Sequence, residues 1–107
     1  MGLKMKIEKN IRINKLLDSY GNLLTEKQQC AMQNYYAFDY SLAEIGEILN
    51  ISRQAVNDAI KQGVESLEKF ESKLGLLKKI DAIKNYTEKL DQNEKQVANN
   101  IIDILEG

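Results

Sequence analysis

Apolar residues return at steps of three and four along almost the whole of this chain, the spacing of helices with one buried face. The strongest instance is the stretch 41–62, SLAEIGEILNISRQAVNDAIKQ. It reads as two helices joined by a tight turn, and the rest of the chain reads as their support. Ile45 and Leu49 form the inward pair of the first helix, and Gly46 is the small residue where the second helix crosses it. Asn50 tolerates the left-handed backbone of such a turn, and Ile51 enters the core directly after it. Ser52 caps the second helix, whose inward face is Val56, Ala59 and Ile60. The pattern predicts a helix-turn-helix pair, with helices over 41–49 and 52–70.

Upstream, a first helix is predicted over 7–20, with Ile13, Leu16, Leu17 and Tyr20 on one face, ended by Gly21-Asn22. Leu23 and Leu24 are expected to be buried. Thr25 with Gln28 makes a capping box for the next helix, which turns Ala31, Met32 and Tyr35 inward and ends near Phe38. Asp39-Tyr40 is a short connection, and Ser41 with Glu44 makes a second capping box. Tyr35, Tyr36 and Tyr40 fit packing between helices better than base stacking, because they precede the motif where its supporting helix belongs.

Downstream, the second motif helix runs on. Ile60, Val64, Leu67, Phe70 and Leu74 continue its stripe, with Gly63 read as a tolerated interruption and Gly75 as a break. Leu76, Leu77, Ile80, Ile83 and Leu90 form a further amphipathic segment. Asp91-Gln92-Asn93 reads as a loop before a last short helix carrying Val97, Ile101, Ile102 and Leu105. The expected division is a helix-turn-helix domain over 1–74 and a C-terminal helical extension over 75–107. The stripes over 64–77 and 80–90 are long for a core of this size, so a homodimer or another partner contact is expected there.

Composition sharpens the picture. The 107 residues include no proline, consistent with an all-α fold. No apolar run is long enough to span a membrane, and no apolar segment follows the first lysines as a secretory signal would require, so a cytoplasmic chain is expected. The one cysteine, Cys30, has no internal disulfide partner, and with no histidine in the chain it reads as a small core or boundary residue. No metal site, cofactor loop or catalytic constellation is visible. The net charge is −1. It divides unevenly, with +4 over residues 1–16, −4 over 17–50, −1 over 51–72 and zero over 73–107. The motif therefore sits beside an acidic scaffold, which weakens a non-specific grip on phosphates.

The run LLTEKQ…YYAFDYSLAEIGEILNISRQAVNDAIKQ resembles the YlxM family, small bacterial helix-turn-helix proteins often encoded beside the signal recognition particle GTPase. More distantly it is similar to the promoter-reading C-terminal domain of sigma factors. The resemblance is best from residue 11 to about 77, and its most specific pieces are Ser52-Arg53-Gln54-Ala55-Val56, the box from Ser41 to Glu44, and Asp58 with Ile60-Lys61. Asn57, Gln62 and Gly63 stand where the family shows an aromatic, an arginine and a threonine. The resemblance implies a regulatory role in the signal recognition particle pathway, with the particle's GTPase or its RNA as partner.

Two functions follow from these residues. In one, the chain is an adaptor binding a GTPase, a ribonucleoprotein or both, which suits the acidic middle and the long apolar-striped tail. In the other, it is a sequence-specific DNA-binding regulator whose nucleic-acid-binding residues are Ser52, Arg53, Gln54, Asn57 and Lys61. Arg53 matches the guanine edge, Gln54 or Asn57 the adenine edge, and Ser52 at the helix start suits a phosphate.

Overall fold

A computed structural model describes the backbone of residues 2–107 and the side chains of residues 7–107. The order is α1 (Gly2–Tyr20), a single 3-10 turn (Gly21–Leu23), α2 (Glu26–Tyr36), α3 (Leu42–Leu49), α4 (Arg53–Leu74), α5 (Leu76–Thr87) and α6 (Gln92–Glu106). The fold is all-α. Among the described residues no helix is long and apolar enough to cross a membrane.

Local signals set most of the boundaries. Thr25 and Ser41 each close a capping box, with Gln28 and Glu44 as the returning side chains. Ser52 caps α4 through Ala55 N–H, which donates to its Oγ at 3.0 Å. Asn50 ends α3 with φ +55°, the left-handed conformation that Asn tolerates better than most residues. Gly75 ends α4 in the same region at φ +65°.

α4 is the central element, and α1, α2 and α3 all pack on it. Ile13, Leu16 and Tyr20 of α1 meet Ala31 and Met32 of α2, Ile45 of α3, and Val56, Ala59, Ile60 and Leu67 of α4 in one core. Gly46 is needed because a Cβ there would stand 2.8 Å from the Ile51 carbonyl oxygen, so the close approach is to the turn backbone. α5 returns along α1, with Leu77 in the same core, and α6 packs on α5 and touches α1. Lys84 and Glu106 tie these last two helices with a 2.7 Å ion pair.

Several sequence expectations need correction. α1 starts at Gly2, because nothing before residue 7 breaks a helix. Leu23 is exposed, since the 3-10 turn points it outward while Leu24 enters the core. The 91–93 segment is not a loop: Asp91 is an N-cap, its carboxylate accepting from Glu94 N–H at 2.9 Å, and α6 begins at Gln92. Gly63 is not a tolerated interruption but a packing site, because a Cβ there would overlap Met32 Sδ. Leu74 leaves the stripe and is exposed.

The junction after α4 contains a buried group that periodicity does not announce. Glu71, buried to 7% exposure, lies beneath the break at Gly75. Tyr20 Oη donates to Glu71 Oε1 at 2.6 Å, and the N–H of Leu77 donates to the same oxygen at 3.0 Å. Leu76 N–H donates to Tyr20 Oη at 3.0 Å. Glu71 thus caps α5 from the preceding helix, and Tyr20 of α1 locks the cap. Burial pushes the Glu71 carboxyl upward, but hydrogen bonds from Tyr20, Leu77 and Lys78, with Arg12 nearby, outweigh it and hold the group below its ordinary value. Arg12 itself makes two 2.9 Å hydrogen bonds to Glu68 one turn earlier.

Candidate nucleic-acid interface

The N-terminal half of α4 presents a polar row built by helical spacing. Arg53, Asn57 and Lys61 follow one another at four-residue steps and span about 12 Å of helix. Arg53 and Lys61 are exposed and carry no ion pair among the described residues, whereas Asn57 is half-buried. Gln54 Nε2 donates to Asp58 Oδ1 at 3.0 Å, so its amide nitrogen is engaged within the helix and its oxygen stays available. Ser52 is exposed, with Oγ held as the cap acceptor and its O–H left to donate.

A trough runs beside this row. At its start Arg53, Gln54 and Asn57 face Leu42 of α3. Further on, a cleft of about 350 Å³ lies between Asn57, Ile60 and Lys61 on one side and Tyr35, Tyr36 and Lys9 on the other. It continues past Lys9 and the two tyrosines to Tyr40 and Ser41. Tyr35 and Tyr36 meet edge to face with ring centroids 5.0 Å apart, and both are half-buried rather than enclosed. Burial, with Tyr35 alongside, holds the Tyr36 phenol above its usual range, so it is a neutral hydroxyl.

The predicted residues therefore lie together on one side of the motif, and the structure adds neighbours that sequence reasoning left out. Lys9, Tyr36 and Leu42 join the row from three other helices. Only the tyrosine cluster carried a signal, and its exposed half is legible only once α1 and α4 are set around it. Cys30 is half-buried beside Asn34, whose Nδ2 donates to its carbonyl at 2.8 Å and lies 3.3 Å from its Sγ.

A capped short helix, a left-handed turn at Asn50 and a long second helix with an exposed polar face define a helix-turn-helix protein. Comparison with known proteins agrees. Residues 7–106 match the UPF0122 family, described as "Putative helix-turn-helix protein, YlxM / p13 like", and the chain belongs to that family. It is 56% identical over 72 residues to UPF0122 protein lwe1821 of Listeria welshimeri, covering 67% of this chain and 66% of that protein. A UPF0122 protein of Pediococcus pentosaceus is 58% identical over 73 residues, 68% of this chain and 65% of its own length. UPF0122 protein TTE1463 of Caldanaerobacter subterraneus is 52% identical over 77 residues, 72% of this chain and 66% of that protein. The chain spans just under two thirds of the length of these relatives.

Proposed function

We propose that this protein is a regulatory adaptor of the signal recognition particle pathway, joining a ribonucleoprotein to a protein partner such as the pathway's GTPase. The observation that carries this reading is a pair of outward surfaces on different elements. One is the polar row of α4, Arg53 to Lys61. The other is on α6, where Val97, Ile101, Ile104 and Leu105 are exposed, Ile104 to 79%. These apolar side chains recur at helical spacing and form a continuous face, the kind of surface that marks a protein contact. Homodimerisation through the same face belongs to this proposal. The stripe expected to form that contact sends Leu67, Leu77 and Ile80 into the chain's own core, whereas α6 turns Val97, Ile101, Ile104 and Leu105 outward.

Co-purification from the native cytoplasm, with and without nuclease, tests the adaptor. The expected result is nuclease-resistant capture of the GTPase, lost in Ile101→Asp/Ile104→Asp and retained in Arg53→Ala/Gln54→Ala. Capture that survives the α6 substitutions would remove the apolar face from the reading. Light scattering at high micromolar concentration separates a second copy from a foreign partner.

The exposed, unpaired Arg53 favours the second reading, a sequence-specific DNA-binding regulator. In that case alanine at Arg53 or Gln54 lowers affinity for a preferred duplex by about 1–3 kcal/mol and changes affinity for random duplex far less. Titrations on both duplexes check this directly.

A further inference from the structure

The trough is a poor match for a rigid duplex and a good one for an unpaired strand. Its cations are Arg53, Lys61 and Lys9. Its acids are Glu65, beside Lys61, with Asp39 and Glu44 at the far end. Local charge is therefore close to balanced, and duplex binding, which draws most of its strength from phosphate neutralisation, has little to draw on. What the trough does offer is aromatic surface and unengaged hydroxyls. Tyr35 and Tyr36 line it between the two lysines, and no protein group among the described residues bonds their phenols. In a duplex the base faces are stacked on one another, so half-buried rings cannot reach them. In a single strand or loop the bases splay out and stack on such rings, while cations spaced along the groove follow the backbone.

We infer that the trough between α1, α2 and α4 binds an unpaired stretch of nucleic acid, with bases against Tyr35 and Tyr36 and phosphates near Lys9, Lys61 and Arg53. This rests on the nucleic-acid half of the adaptor reading and names its ligand class. Asn57, half-buried between the cations, supplies an amide able to bond a base edge and so gives a modest preference among bases. Stacking supplies most of the affinity, and three cations give a shallow salt dependence, with a logarithmic slope of about −2 for a single strand.

The test uses the full chain and 12-nucleotide fluorescein-labelled oligonucleotides, as unpaired RNA, unpaired DNA and the corresponding DNA duplex. Anisotropy titration is expected to show either unpaired strand binding at least tenfold tighter than the duplex. The chain has five tyrosines and no tryptophan, so strand binding should also quench its intrinsic fluorescence. Tyr36→Leu, which keeps apolar packing, should weaken strand binding about tenfold. Exposed Lys9→Ala should weaken it severalfold with the helical circular dichroism unchanged, which covers the case of a misfolded Tyr36 variant. Lys27→Ala, outside the trough, should change nothing. RNA binding in preference to DNA would assign the ligand to RNA, and equal binding to any unpaired strand. Duplex binding as tight as strand binding, or strand binding indifferent to both Tyr36→Leu and Lys9→Ala, overturns the inference. If no strand binds while α6-dependent capture of the protein partner persists, the trough assignment falls and the adaptor's protein side stands.

Discussion

Met32 Sδ occupies the space that a Cβ on Gly63 would need, so α2 and α4 meet across a position with room for hydrogen alone. Gly63→Ala gains about 1 kcal/mol of helix propensity. It also drives a fully buried methionine from its place, an overpacking that costs about 1–3 kcal/mol. Net destabilisation is expected. Met32→Ala alone leaves a cavity, at about 2–5 kcal/mol. The double variant should lose at least about 1 kcal/mol less than the two single losses combined, because the new methyl partly fills the space the methionine vacates. Urea unfolding of the four proteins measures that coupling, and strictly additive losses would show that the helices simply move apart.

Gly46 meets backbone instead of a side chain, so relief there is harder. With the Ile51 carbonyl oxygen 2.8 Å from the Cβ position, Gly46→Ala must shift the turn itself. A loss of about 2 kcal/mol is expected. An unchanged unfolding midpoint would remove Gly46 from the set of residues that hold the motif.

Glu71 makes stability depend on acid. Its carboxyl is held below the ordinary value of 4.5 in the folded chain, so the unfolded chain binds the proton more readily. The stabilisation is complete above that value and is lost as pH falls from it toward the folded value. Tyr20 is raised above 10.0 by burial and by Glu71, so its contribution is complete below 10.0 and is lost as pH rises through the folded value. Tyr20→Phe keeps the ring but strips a donor from Glu71 and an acceptor from Leu76 N–H, at about 1–3 kcal/mol. Glu71→Gln should flatten the acid limb of a stability-against-pH curve. A limb of unchanged steepness would place the acid sensitivity elsewhere.

The α6 face predicts a separation of stability from association. Ile101→Asp and Ile104→Asp lie on exposed positions and should each move stability by no more than about 0.5 kcal/mol. Leu67→Asp, at a position with no exposure, should unfold the chain. Thermal melts distinguish the two, and a large loss in Ile104→Asp would mean that its side chain is covered.

Local chemistry made most of this fold legible. Thr25 with Gln28, Ser41 with Glu44, Asn50 and Ser52 act within three or four residues, so their signals survive in one dimension. Asp91 with Glu94 marks the start of α6 by the same chemistry, although Asp91-Gln92-Asn93 also has the composition of a loop. Gly63 was illegible because its reason is Met32, 31 positions away in the chain. Glu71 stands four residues after Leu67, where the stripe asks for an apolar side chain, and its partner Tyr20 lies 51 positions away in the chain. The predicted row on α4 could be read from helical spacing, but the trough could not, since Lys9, Tyr36 and Lys61 come from three helices.

The length of α4 gives the Tyr20–Glu71 latch a consequence in angle rather than energy. From Arg53 to Glu71 the helix spans about 27 Å, with the polar row at one end and the latch at the other. An error of 10° in the setting of that rod would displace Arg53 by about 5 Å, more than the roughly 3 Å reach of a hydrogen bond. A phenol and a carboxylate at one end of α4 thus join α1, α2 and α3, which pack along its length, in setting the direction in which Arg53 projects.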